Sequence, residues 1–457
     1  MPLSRRKFVS LAGAGVGGAV LATPIKNLYS NLVKGDSAFA DKLGSLVSDS
    51  QGILDLPPGF QYKILSRVGE TMDDGHLVPN QHDGMAAFAG ENGTTILVRN
   101  HEVSPLDRIN NLTADVPQYD SSCPGGTTTL IVDGDRNLRQ HYLSLAGTNR
   151  NCAGGTTPWG SWISCEEEIA TPYPPPGYTM EEVAAYWGNV SQKHGYNFEV
   201  PAKGQVGKLA QPIPLKGMGR FRHEAIATDP NTGYIYQTED QFNSCIYRFR
   251  PDKPGDLQAG GTLEALMIKD VARVDTGINF PLGKPLEVTW LELEDVDPQH
   301  DTLRFEAQKK GAAVFRRGEG MCYANQELYW TATNGGAAQV GQIFRYNLKQ
   351  ETLELFAESP GKGVLDYPDN LILAPFGDLI VCEDGKGEQF LVGITPKGKY
   401  YKFARNAMNN SEFAGVCFAP DGQTMYVNIY NPGGKRLRSR FLLNLKKHCF
   451  YLMKRPS

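Results

Sequence analysis

Ile235-Tyr236-Gln237-Thr238-Glu239-Asp240 is a short run of β-branched and aromatic residues that turns polar at its end. It follows the turn signal Asn231-Thr232-Gly233 and so reads as the second strand of a hairpin. Similar runs recur at Ile96-Leu97-Val98-Arg99-Asn100-His101-Glu102, Trp162-Ile163-Ser164-Cys165-Glu166-Glu167, Tyr329-Trp330-Thr331-Ala332-Thr333-Asn334, Ile380-Val381-Cys382-Glu383-Asp384 and Tyr426-Val427-Asn428-Ile429-Tyr430-Asn431. A polar-small-apolar strand lies just upstream in most copies: Gly84-Met85-Ala86, Glu224-Ala225-Ile226, Glu319-Gly320-Met321, Asn370-Leu371-Ile372 and Gly415-Val416-Cys417. The offset from first to second strand is 15 residues for Glu224–Glu239, Glu319–Asn334 and Gly415–Tyr430, and 14 for Asn370–Asp384. Copies spaced 46 to 94 residues apart fit four-stranded propeller blades, usually about 40–50 residues, with insertions. A solenoid needs shorter and more regular repeats, and a sandwich does not repeat one hairpin six times. The expected fold is an all-β, six-bladed β-propeller with helical and loop insertions. One insertion, 173–200, carries Pro174-Pro175-Pro176 and a helix over Met180–Trp187; another, 256–309, is highly charged.

Composition agrees with a turn-rich β protein. The 457 residues include 50 glycines and 29 prolines, and no internal apolar run is long enough to span a membrane. Residues 1–40 read as a twin-arginine export signal and linker: Ser4-Arg5-Arg6-Lys7-Phe8, a mildly apolar segment over 9–22, and Ala38-Phe39-Ala40 as a cleavage site. The expected location is therefore periplasmic or secreted, with the export machinery as a partner. Residues 41–434 read as one domain and 435–457 as a basic, atypical tail, in which Phe441-Leu442-Leu443 offers a short apolar strand. Setting aside the five bases and one acid of 1–40 and the eight bases of 435–457 leaves 33 Lys+Arg against 49 Asp+Glu. Such a body repels nucleic acid and suits cations. The eight cysteines form neither a Cys-x-x-Cys zinc pattern nor a clear disulfide framework.

The chemistry concentrates where the strands end. The stretch 147–168 is a glycine- and threonine-rich turn, then an aromatic strand, then Cys165-Glu166-Glu167-Glu168. Three adjacent acids repel one another unless solvent or a cation separates them. The stretch is either an exposed acidic turn with a buried thiol or a metal site. In a propeller, equivalent positions of the innermost strands form a ring, which makes neighbours of Glu224, Glu319 and Asn370. The small residues after the two glutamates, Ala225 and Gly320, fit close packing near an axis. Carboxylates at Glu102, Glu224, Glu319, Asp369 and Glu383 suit calcium, and a thiol at Cys165 suits iron. Arg317, two residues before Glu319, shares its face. A guanidinium beside metal ligands is sensible if an anion such as phosphate sits between them, gripped by two parallel hydrogen bonds. Arg222 and Arg316 are secondary candidates. His101 and His223 lack a second histidine at zinc-hydrolase spacing and read as core residues beside ligands. No Gly-x-Ser-x-Gly elbow occurs.

Arg99-Asn100-His101-Glu102, Gly125-Gly126-Thr127-Thr128, Thr157-Pro158-Trp159-Gly160 running into Cys165-Glu166-Glu167, Arg222-His223-Glu224, Arg317-Gly318-Glu319-Gly320, Pro368-Asp369-Asn370 and Cys382-Glu383-Asp384-Gly385 occur in this order. The ordered set, over roughly 55–434, resembles the PhoX-type alkaline phosphatases. The resemblance implies a six-bladed, twin-arginine-exported propeller with an Fe3+ and Ca2+ cofactor that hydrolyses small-molecule phosphomonoesters, a metal-bound oxygen serving as nucleophile. It implies Cys165 as iron ligand, Glu224 and Glu319 as bridging ligands, and Arg317 and Asn370 as catalytic phosphate contacts. Glu102, Asp369 and Glu383 become metal or supporting positions. We expect a monomer that binds no nucleic acid and has no stable membrane span. A calcium-dependent propeller lactonase or esterase, needing neither Cys165 nor Arg317, and a non-catalytic exported metal-binding propeller are the alternatives.

Overall fold

The computed structural model describes residues 39–40, 43–107, 116–431 and 450–454. The export-signal and cleavage-site readings fall almost wholly outside these, as do Phe441-Leu442-Leu443. Two short strands, β1 (Leu54–Asp55) and β2 (Gln61–Ile64), precede β3 (His82–Ala89), β4 (Thr95–His101), β5 (Gly125–Val132) and β6 (Leu138–Thr148), which form one antiparallel sheet. Next come β7 (Asn151–Thr156), β8 (Ser161–Glu166), helix α1 (Met180–Trp187) and β9 (Asn197–Pro201). Then follow β10 (His223–Thr228), β11 (Ile235–Glu239), β12 (Ile246–Pro251), β13 (Gly261–Ile268) and β14 (Leu286–Glu292). Helix α2 (Leu303–Lys310) leads into β15 (Gly318–Ala324), β16 (Glu327–Ala332), β17 (Gln342–Asn347) and β18 (Thr352–Glu358). The chain continues through β19 (Pro368–Leu373), β20 (Leu379–Glu383), β21 (Phe390–Ile394) and β22 (Tyr400–Asn406), then β23 (Phe413–Phe418), β24 (Thr424–Ile429) and β25 (Phe450–Lys454).

The first strands β3, β7, β10, β15, β19 and β23 neighbour one another in a closed ring, and each sheet runs outward from its first strand. The fold is mostly β and propeller-like. Within a sheet both faces are covered. On β11, Ile235 joins Ile163 and Cys245 in one apolar cluster, while Tyr236 joins Trp330 and Phe344 in the next. This explains why all of β11 is buried and why its residues do not alternate between apolar and polar. Comparable clusters join the remaining neighbouring sheets.

The insertions do specific work. Strand β14, from the charged insertion, pairs with β13 and β18 and fuses two sheets into one nine-stranded sheet, so their outer edges are covered. Helix α1 occupies the residues read from sequence. Its start is a capping box: Glu182 N donates to Thr179 Oγ1 at 3.2 Å and Thr179 N to Glu182 Oε2 at 2.8 Å. Strand β25 lies between β24 and β2, so the last sheet is built from both ends of the chain. No helix among the described residues is long and apolar enough to cross a membrane.

Candidate active site

In every first strand the pairing register slips at the same place. The slips fall between His82 and Met85, Asn151 and Gly154, His223 and Ile226, Gly318 and Met321, Pro368 and Leu371, and Ala414 and Cys417. Each is a β-bulge, which sets two residues opposite one. The bulged pairs are Asp83-Gly84, Cys152-Ala153, Glu224-Ala225, Glu319-Gly320, Asp369-Asn370 and Gly415-Val416. The second members, Gly84, Ala153, Ala225, Gly320, Asn370 and Val416, line a central channel of about 380 Å³. Crowding there demands glycine at two of the six positions. A Cβ on Gly84 would lie 2.5 Å from Ala153 Cα, and one on Gly320 would lie 2.6 Å from the Asp369 carbonyl.

The first members gather at the mouth. Carboxylate oxygens of Glu224, Glu319 and Asp369 all lie within 4.8 Å of one another. The residue after four of the six second strands adds an outer set of acids: Glu102 after β4, Glu167 after β8, Asp240 after β11 and Asp384 after β20. The residue before each bulged strand adds three arginines, Arg150, Arg222 and Arg317. Arg150 and Arg317, with Gln81 and Tyr367 at the matching position, have left-handed backbones with φ between 50° and 54°.

Several sequence assignments move by one strand or one residue. Cys152, not Cys165, occupies the bulge level of Glu224 and Glu319. Cys165 is fully buried on β8, one strand out, opposite the bulge. Asp369, not Asn370, lies level with the two glutamates. Asn370 faces the channel, where its Oδ1 accepts the Gly415 amide at 2.5 Å and its Nδ2 donates to Asp369 at 2.9 Å. Glu383 faces away from the mouth. It accepts the amides of Asp366 (2.9 Å) and Phe390 (3.2 Å) and pairs with Lys402 (2.9 Å). Glu102 does reach the mouth, accepting from Arg150 Nε at 2.7 Å and from the Tyr430 hydroxyl. His101 and His223 are buried and bonded to the carbonyls of Asn80 and Gly219 at 3.0 Å each. The sequence reading omitted Asp83, Cys152, Asp240, Asp384, Glu412 and Arg150. Asp83-Gly84-Met85 repeats the pattern of Glu319-Gly320-Met321 and was the available signal.

Comparison with known proteins supplies the identity. The family model for alkaline phosphatase PhoX matches residues 42–433. The chain belongs to the PhoX alkaline phosphatase family. PhoX from Pseudomonas fluorescens, solved in complex with vanadate, a transition state analogue, is similar in structure, with TM-score 0.66 and 18% identity over 88% of this chain and 96% of that one. A gluconolactonase from Xanthomonas campestris aligns with TM-score 0.40 and 13% identity over 91% of this chain and 98% of that one. No curated protein matches. As a PhoX-family member the protein is a phosphatase.

Three adjacent acids in this PhoX-family chain are kept apart by three different cations. Glu166 points inward to His194 Nδ1 at 2.7 Å, Glu167 meets Arg150 at 2.7 Å, and Glu168 takes Arg222 at 3.1 Å and the Trp187 indole at 2.8 Å. Arg317 spends its Nε and Nη2 on Asp240, at 2.7 and 3.0 Å, and Nη2 also reaches Glu319 at 2.5 Å. The two-pronged edge read from sequence as a phosphate grip is therefore occupied. Nη1 has no acceptor among the described residues. Arg222 is half-buried on Glu168, and Arg316 lies outside the cluster on Asp275 and the Phe242 carbonyl.

The mouth holds far more acids than bases. Burial, then the charges of neighbouring acids, pushes Asp83, Glu224 and Glu319 well above the usual carboxylate range. Burial and Asp384 raise Asp369 to about 8. Glu412 is raised by burial and by Asp384. Burial opposes ionisation of Glu102 and Asp240 too, but Arg150 and Arg317 respectively pull them below the usual range. Cys152 is pushed up by burial and then by Glu224 and Glu167. A group of carboxylates that repel one another and outnumber the cationic side chains among them fits multivalent cations. The donor set is hard oxygen around one sulfur, which accommodates calcium and iron.

Proposed function

We propose that this mouth is the active site of an exported, metal-dependent phosphomonoesterase that releases phosphate from small organic phosphoesters. The observation carrying the reading is the set Glu224, Glu319 and Asp369, mutually within 4.8 Å, beside the anchored guanidinium of Arg317. In this reading Asp83, Glu224, Glu319 and Asp369 would hold Ca2+ and Fe3+, with Glu102 supporting them, and Cys152 would be the soft ligand to iron. Cys165 is the alternative sulfur, and Glu383 acts through the loops it fixes. When bound, the metals supply Lewis-acid polarisation of the phosphoryl oxygens and activation of the attacking oxygen. Asp240 holds the Arg317 guanidinium so that Nη1 is offered to a phosphoryl oxygen, and negative charge growing on that oxygen strengthens the contact. Asn370 braces Gly415 and Asp369, which would fix the ring on which the ligands stand. Arg150 and Arg222 would pair with Glu167 and Glu168 and offset part of the negative charge at the mouth.

The sheets are read as six blades, supported by the closed ring of first strands and the apolar cluster between each neighbouring pair. Residues 1–40 as export signal, 41–434 as the catalytic domain, 435–457 as a basic tail, a periplasmic or secreted location and a monomeric state complete the proposal. The test is metal analysis of protein purified from the export compartment, with hydrolysis of a chromogenic phosphomonoester. Iron and calcium together with activity are expected. Calcium alone, with no phosphomonoester turned over by fully loaded protein, would overturn the reading.

A further inference from the structure

A second set of donors lies behind the mouth. Asp120, Cys123 and His194 are all buried, and one ligand atom from each falls within 4.8 Å of the other two. Asp120 and Cys123 come from the loop before β5, and His194 from the segment between α1 and β9. Cys123 Sγ lies 3.4 Å from His194 Nε2, and His194 Nε2 lies 3.4 Å from Asp120 Oδ2. Ligands at about 2.0–2.3 Å from a tetrahedral zinc are themselves separated by roughly 3.3–3.6 Å. Two of the three donor pairs thus already stand at ligand-to-ligand spacing.

The surroundings orient them. The other histidine nitrogen, Nδ1, is held by Glu166 at 2.7 Å, the carboxylate–histidine arrangement that leaves Nε2 as the metal-binding atom. Glu166 is itself fixed by the amides of Asn149 at 2.8 Å and Gly195 at 2.9 Å. Asp120 is fixed by the amides of Ser122 at 2.9 Å and Gln192 at 3.0 Å. The donor set differs in kind from that of the mouth: one thiol, one imidazole and one carboxylate, a mixture suited to zinc rather than calcium. The charge also balances. Without metal the cluster can hold an imidazolium and a thiol. A divalent ion entering displaces the Nε2 proton and the thiol proton to solvent, two positive charges for two, so burial imposes no new net charge.

We infer that Asp120, Cys123 and His194 supply three ligands of a zinc site, separate from the catalytic mouth, that clamps the segment following α1 against the loop before β5. Glu166 belongs to this site, while its neighbours Glu167 and Glu168 face the mouth, and Trp187 at the end of α1 binds Glu168. The clamp therefore fixes the insertion beside the active site. The inference does not depend on the phosphatase reading.

The test uses the full-length protein loaded with zinc, and separately with cobalt(II) as a spectroscopic probe. The expected results are an anomalous-scattering peak at the zinc edge between these three side chains and a cobalt–thiolate charge-transfer band. That band should be lost in Cys123→Ser and kept in Cys152→Ser. Glu166→Gln should weaken zinc binding by roughly 10- to 100-fold. No zinc peak at the site in the wild-type protein, or a cobalt band unchanged by Cys123→Ser, would overturn the inference and leave His194 as an imidazolium held between two carboxylates. The wild-type measurement decides the matter even where the variants fail to fold.

Discussion

Glu239 and Asp240 are adjacent in sequence, yet the protein treats them oppositely. Glu239 points into its sheet and is answered by the Cys245 amide and the Tyr247 hydroxyl, each at 3.0 Å. Asp240 points to the mouth, where Arg317 is shared among several acids. The same division holds for Glu166 and Glu167, and for Glu383 and Asp384. In each pair the first acid is satisfied by fixed backbone donors and pins a loop. The second joins a group of acids that the chain leaves short of positive charge. A buried carboxylate is thus a structural part or a functional one according to whether the protein itself completes it.

Substitutions should separate the two classes. Glu224→Gln or Glu319→Gln should cost the most, roughly 10³-fold in kcat/KM, with the folded state retained, as read by steady-state kinetics and circular dichroism. Glu383→Gln, removing a completed carboxylate, should instead cost about 1–3 kcal/mol in urea unfolding with kcat nearly unchanged. If both kinds of variant lose the same property, the division is void. Cys152→Ser should lower activity and iron content by roughly 100-fold, while Cys165→Ser should change both by less than about threefold. The opposite result would favour Cys165 over Cys152 as the proposed iron ligand. Asp240→Asn should raise KM roughly tenfold with a smaller change in kcat, because it loosens the Arg317 guanidinium rather than removing it.

The smallest effect is thermal and concerns metal-free protein. Asp369 has a folded-state pKa of about 8, against 3.8 ordinarily. Between these values the unfolded chain has lost a proton that the folded chain keeps, so the contribution of Asp369 to stability is full at low pH and falls as pH rises toward 8. The melting temperature of metal-free protein should drop by at least roughly 2 °C from pH 5 to pH 8. Added calcium should abolish the drop. A melting temperature that rises over this range would mean that the protein itself completes the mouth acids.

The hairpin repeat was legible because turn residues and apolar runs recur along the chain whatever the detailed register. Helix α1 was legible because its cap is written into Thr179 and Glu182. The mouth was legible only to within one residue. A β-bulge inserts one residue without a composition signal, and a one-residue slip in a strand exchanges its two faces. That slip put Asn370, rather than the neighbouring carboxylate Asp369, level with Glu224 and Glu319 in the ring, and Glu383 in the place of Asp384. Cys152 was missed for another reason. Its strand, Asn151–Thr156, consists of small residues with little β propensity and is held by its neighbours: Asn100 Nδ2 grips the Cys152 and Ala153 carbonyls at 3.1 and 2.6 Å.

Strand β25 has a consequence in time rather than in space. It completes the last sheet by joining β24 to β2, pairing residues 451–454 with residues 61–64. Contacts between segments so distant in sequence form late, since the intervening chain must first be ordered. Tyr430, just beyond β24, contacts Glu102 where the last sheet meets the first. Glu102 of the first sheet therefore meets the last sheet only at the end of folding, and its repulsion from the other mouth acids opposes that closing step. A cation present at that moment would speed the closure as well as stabilise the product.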